Sequence, residues 1–109
     1  MFKKESPKFD GTNYDSWKDN MKTHLVWKGL GYWLVTKAYK DIVQEDNIES
    51  FTKEHREVFM CNIRAREEIL STLAESEYSQ VKLLKTSHKI WKALEANYEG
   101  DKHEKRVRL

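Results

Sequence analysis

Apolar positions along this chain recur at helical rather than strand spacing. Tyr14, Trp17, Met21 and Leu25 follow steps of three, four and four, one face of an amphipathic helix. Gly11-Thr12-Asn13 ahead of them is a turn signal, with Asn13 as the N-cap. Gly29 and Gly31 are placed to end this helix, because glycine accepts the left-handed conformation common at helix C-termini. Trp33, Leu34 and Val35 then open a short second helix reaching about Val43 through Ala38 and Ile42. Residues 44–50 are polar and read as a loop, and Ser50 or Thr52 caps the third helix.

The longest helix is predicted over residues 51–73. Val58, Phe59, Ile63, Ile69, Leu70 and Leu73, with Cys61 and Ala65 between them, form a stripe broad enough to touch several neighbours. Arg64 and Glu68, four apart, suit a pair on its opposite face. Residues 76–85 suggest a short helix with Tyr78, Val81 and Leu84 on one side. Thr86 or Ser87 caps another, which carries Ile90, Trp91, Leu94 and Tyr98 and closes at Gly100. These elements make an all-α fold, a compact orthogonal bundle of about five helices spanning residues 11–100. Residues 1–10 precede it as an extended charged leader carrying Pro7, with Phe9 free to pack on the domain. Residues 101–109 form a charged tail that begins a further helix.

Composition supports this reading. Only four glycines and one proline interrupt the chain, and 12% aromatic content is more than disordered segments carry. At 109 residues there is room for one domain with a single core. The formal net charge of +2 does not by itself point to nucleic acid. Cys61 is the one cysteine, so neither an intramolecular disulfide nor a cysteine-based zinc knuckle can form, and a reducing, cytoplasmic setting is expected. Residues 1–10 lack the apolar run of a secretory signal, and no window approaches a membrane span.

Two segments resemble the Gag polyprotein of copia-type LTR retrotransposons, plant elements especially. Phe9, Gly11, Asn13, Tyr14 and Trp17 fit an "F-x-G-x-N-Y-x-x-W" opening. Thr86, Trp91, Leu94, Tyr98 and Gly100 fit a "T-x-x-x-x-W-x-x-L-x-x-x-Y-x-G" signature, and Ile69, Leu70 and Leu73 fit an "I-L-x-x-L" run between them. Order and spacing agree over roughly residues 8–109. The resemblance implies a bundle like the N-terminal domain of retroviral capsids that associates with itself and with a downstream Gag capsid domain. Such proteins form particles around the element's RNA, with no catalytic residues and no cofactor. Two departures stand out. Lys89 occupies a position that is often acidic in the family and would complete a capping box with Thr86. The chain also stops where family members continue into a second helical domain and commonly a zinc knuckle.

Helical spacing already explains Tyr14, Trp17, Trp91 and Tyr98 as core, with Trp91 expected to be the most costly to remove. Trp27, Tyr32 and Trp33 surround a glycine turn, and Trp27 lies off the first helix's apolar line. Core packing explains them too, but any left exposed would form an assembly contact. Val107 and Leu109 of the tail suit docking either on their own domain or on a neighbour's, as a further assembly contact. Lys82, Lys85, Lys89 and Lys92, with Lys102, Lys105, Arg106 and Arg108, suit either a solvated face or weak, non-specific RNA contact. His24, His55, His88 and His103 lack ligand spacing and read as solvated or snorkelling side chains rather than a metal site. Cys61 falls in an apolar stripe as a small hydrophobe, and no motif of an enzyme is present. A host-adopted Gag fragment, acting as an adaptor or an assembly inhibitor, is the remaining alternative.

Overall fold

The computed structural model describes residues 8–38, 49 and 51–99. These form five α-helices in a compact bundle: α1 (Tyr14–Lys28), α2 (Leu30–Ala38), α3 (Lys53–Leu70), α4 (Glu75–Val81) and α5 (Ser87–Leu94). A π-helical turn, Glu95–Glu99, extends α5, and there is no strand among the described residues. The all-α expectation holds. The second helix beyond Ala38, Ser50 as a cap, the early leader, His103, Gly100 and the tail with Lys102, Lys105, Arg106, Val107, Arg108 and Leu109 lie outside the described residues.

Local signals set most boundaries. Thr52 caps α3 by accepting from the His55 backbone N–H at 3.1 Å, and Thr86 caps α5 by accepting from that of Lys89 at 3.1 Å. The Thr86 cap therefore forms with Lys89 in the capping-box position. Asn13 precedes α1 but does not cap it with its side chain. Instead its Nδ2 donates to the Lys8 carbonyl at 2.8 Å, and its Oδ1 accepts from the Asp10 N–H at 3.3 Å, closing the leader into a loop.

Several expectations need correcting. Gly29 ends α1 through an extended conformation (φ 160°, ψ 132°), its N–H shared between the Leu25 and Val26 carbonyls, so no left-handed cap is used. Gly31 lies inside α2, which begins at Leu30 rather than Trp33 because the Gly29 carbonyl already accepts from the Tyr32 N–H. On α3 the buried line is Asn62, Ala65 and Ile69, while Val58 is exposed. On α4 Glu77 is buried with Val81, and Tyr78 faces outward. Glu68 does not pair with Arg64; it turns to His24 and Lys28 of α1. Tyr98 sits in a π-turn rather than an α-turn.

The core gathers Phe9, Trp17, Met21, Leu25, Ala65, Ile69, Val81, Ile90, Trp91 and Leu94. Its lower part is aromatic. The Phe9 ring stacks on Trp17 at 5.0 Å and meets Tyr14 and Tyr98 edge-on at 5.8 and 4.9 Å, and Trp17 packs on Trp91 at 5.6 Å. Polar staples hold the elements around it. Asn62 of α3 donates to the Lys85 carbonyl at 3.3 Å and accepts from the Ser87 N–H at 2.9 Å. Arg66 donates to the carbonyls of Leu84 and Lys82 at 2.8 and 2.6 Å. Together they fix the α4–α5 connection to α3 and satisfy backbone groups that no helix can.

Candidate functional site

The residues of the resemblance gather where the leader meets the α3–α4 turn. Phe9 N–H donates to the Thr72 carbonyl, and Ala74 N–H donates to the Phe9 carbonyl, both at 2.9 Å, forming a single parallel bridge with Leu73. Trp17 Nε1 donates to Thr72 Oγ1 at 3.0 Å, so one buried threonine receives the indole while its neighbouring backbone holds the leader. Gly11 adopts φ +95°, and a Cβ there would lie 2.7 Å from Glu77 Oε2. The backbone therefore favours glycine, and any side chain there would also displace the Glu77 carboxylate. The same Glu77 oxygen accepts from the Tyr98 hydroxyl at 3.2 Å. Phe9, Gly11, Tyr14, Trp17, Trp91 and Tyr98 are thus parts of one internal latch, and Leu94 is fully buried beside them.

Exposure concentrates at the other end of α1. Val26, Trp27, Leu30 and Leu34 are 41, 64, 59 and 51% exposed within nine consecutive positions. Leu30 and Leu34 lie one turn apart on α2, and Val26 and Trp27 occupy the last turn of α1. Tyr32 and Trp33 behave differently from Trp27. Both are half-buried, and Trp33 meets Trp91 edge-on at 5.4 Å. Of the three aromatics around the glycine turn, Trp27 alone is left in water.

This elbow rests on a rigid base. His24, expected to be solvated, is buried and joined to Glu68 Oε1 at 2.8 Å, while Lys28 reaches Glu68 Oε2 at 3.3 Å. Burial pushes the Glu68 carboxyl up, but the hydrogen bonds from His24 and Lys28 outweigh it and hold the group below its ordinary range. His88 is half-buried, and its Nδ1 lies 3.0 Å from the Thr36 carbonyl; since a carbonyl only accepts, Nδ1 carries the proton. His55 is exposed.

The described candidate RNA lysines are divided between two elements. Lys82 and Lys85 stand in the turn after α4, and Lys89 and Lys92 ride on α5. Lys92 is tied to Glu95 at 2.7 Å. It also borders a small groove with Lys18, Lys22, Lys37, Trp33 and Trp91. Lys22 lies over the Trp33 ring at 5.3 Å, whereas Lys18 is held between Glu95 and Glu99 at 3.4 and 2.9 Å. The bond from Lys92 is the main reason Glu95 stays below its ordinary range, with Lys18 adding to it against burial. Burial works against the Lys18 ammonium, yet Glu99 and Glu95 hold its pKa above the ordinary value. Burial, reinforced by Glu99 and Glu95, raises the Tyr14 phenol as well.

Burial and then Glu57 push the Cys61 thiol up, against Arg64, which disfavours the thiolate a nucleophile needs. No group of three or more His, Cys, Asp or Glu side chains among the described residues is arranged to hold a metal ion, and no described helix is long and apolar enough to cross a membrane. Asn62, Arg66, Thr72, Glu77 and the His24–Glu68 pair are the structural residues that the sequence did not single out. Each is polar and finds its partner far along the chain, so periodicity carries no trace of it. Comparison with family models, curated proteins and solved structures finds no match for this chain.

Proposed function

We propose that this domain is a non-enzymatic assembly module that associates with copies of itself through the α1–α2 elbow, in the manner of a copia-type Gag capsid-like domain. The observation carrying this reading is Trp27, 64% exposed in a chain that buries Trp17 and Trp91. A large aromatic left in water beside Leu30 and Leu34 is the composition of an interface centre rather than of a solvated helix end. Contacts between single copies need only be weak, because many copies held in one shell bind through avidity. Heterologous contacts of this kind close into rings or propagate as lattices. The motif resemblance adds a downstream Gag capsid domain as a second partner and the cytoplasm as the setting.

Light scattering after size exclusion, over a hundredfold range of concentration, tests this. The expected result is a mass that rises with concentration for the wild type and stays monomeric for Trp27→Lys at unchanged helicity. A wild type that remains monomeric throughout, or a Trp27→Lys variant that associates as before, removes the elbow from the role.

A second reading, weak and non-specific RNA contact, draws on the groove where Lys22, Lys37 and Lys92 meet Trp33 and Trp91, since cations beside aromatic faces suit single strands. Absence of binding at tens of micromolar protein and moderate salt eliminates it.

A further inference from the structure

We propose that the open groove between α2 and the first half of α3 docks an acidic, amphipathic peptide segment of a partner protein. The groove encloses about 560 Å³, within the roughly 300–1,000 Å³ typical of pockets that seat organic ligands and side chains. Its floor is apolar: Tyr32 from α2, with Met60 and Cys61 from α3. Gly31 brings the two helices together there, since a Cβ at that position would stand 3.1 Å from Cys61 Sγ. Among the described residues the rim carries Lys53, Arg56 and Arg64 against one carboxylate, Glu57.

This arrangement comes from the register of α3. Positions 53, 56, 57, 60, 61 and 64 advance by alternating steps of three and one, so they form one straight stripe along the helix. The buried line of Asn62, Ala65 and Ile69 is a different face; of the stripe only Cys61 packs against the core, and Lys53, Arg56, Glu57, Met60 and Arg64 are exposed. Met60, an adaptable apolar side chain, is 41% exposed on it. Among the described residues, neither Lys53 nor Arg64 has an ion-pair partner.

The charge decides the occupant. Three cations against one carboxylate make the described part of the rim net positive. A second copy of this chain would approach with the same sign of charge, whereas a segment rich in Asp and Glu is attracted over its whole approach. The apolar floor requires that segment to carry at least one large hydrophobic side chain among its carboxylates. Arg56 and Arg64 supply the planar forks that receive carboxylates two atoms at a time. This inference is independent of the elbow: Tyr32 lies two positions from both Leu30 and Leu34, on the other side of α2 by helical spacing, and the groove uses none of Val26, Trp27, Leu30 or Leu34.

The test pans a phage library of random 16-residue peptides against the full chain, with Met60→Glu and Arg56→Glu/Arg64→Glu chains in parallel. The expected outcome is enrichment of sequences that combine a large apolar residue with several Asp or Glu. Recovery of those phage should fall at least tenfold on both variants, and the double variant should select Lys- and Arg-rich sequences instead. A synthetic copy of an enriched peptide should also slow the reaction of the Cys61 thiol with an aromatic disulfide reagent several-fold. All three substituted side chains are exposed, and circular dichroism checks that helicity is kept. If Met60→Glu fails that check, the charge reversal decides alone. Sequences enriched without acidic bias, recovery indifferent to the substitutions, or a groove variant that abolishes self-association would each overturn the proposal.

Discussion

The two ends of α1 carry aromatic side chains in opposite settings. At its start, Tyr14 and Trp17 are buried, Phe9 packs on both, Tyr98 stacks on Tyr14, and Trp17 finds Thr72 for its one N–H. At its end, Trp27 projects into water beside Val26, and the helix is held by a polar staple from Glu68 rather than by rings. The same residue type is spent on cohesion at one end and left available at the other. Aromatic content in a small domain is therefore informative about partners only once burial is known.

The comparison breaks first at the buried end. Trp17→Ala should cost about 3–5 kcal/mol, the usual range for deleting a core indole, and is read as a large drop in thermal midpoint. Trp91→Ala belongs in the same range, and a shift of only a degree or two in either variant would mean that the latch is not the stabilising cluster it resembles. Asn62→Ala should cost about 1–3 kcal/mol, because it strands the Ser87 N–H in the interior; a urea titration measures it. Gly11→Ala should cost about 1–3 kcal/mol from strained backbone, with crowding of Glu77 in addition; combining it with Glu77→Ala should recover the crowding part only. At the exposed end, Trp27→Ala should move stability by less than about 0.5 kcal/mol, and a larger loss would show that the indole covers the core after all.

The smallest effect concerns acid. The Glu68 carboxyl is held below its ordinary value of 4.5, so its contribution is fully present above that pH and is lost as the pH falls through the lower, folded value. Stability of the wild type should therefore decline below about pH 4.5, and Glu68→Gln should flatten that decline. Parallel acid titrations of the two chains by circular dichroism check it, and coincident slopes would remove Glu68 from the account.

Local signals were legible in the sequence where one element suffices to write them. The face Tyr14–Trp17–Met21–Leu25, the caps Thr52 and Thr86, and the pinning role of Phe9 all come from spacing or turn chemistry, and the structure has them. Choices between neighbours were not legible in this way. The stripe predicted on α3 runs broadly from Val58 to Leu73 and includes Ala65 and Ile69, which are buried, yet Asn62 joins that buried line since two backbone groups of the α4–α5 connection need its amide. His24 reads as solvated, and nothing in the sequence points to Glu77, because a polar side chain is buried only when a remote partner answers it. As for the site, Trp27's departure from the apolar line of α1 was visible in the spacing, whereas the separate fates of Tyr32 and Trp33 depended on Trp91, far along the chain.

The latch also governs the order in which this domain can be made. Trp17 reaches Thr72 across 55 positions, and Lys18 reaches Glu99 across 81. Helices α1 and α2 can form as they are synthesised, but their aromatic face stays uncovered until the last turn of the described chain has appeared. Such non-local closure slows folding and leaves sticky surface open meanwhile. A nascent chain halted before Tyr98 would therefore present the buried rings of the latch together with Trp27. Premature stops in this domain should yield aggregates rather than smaller folded pieces.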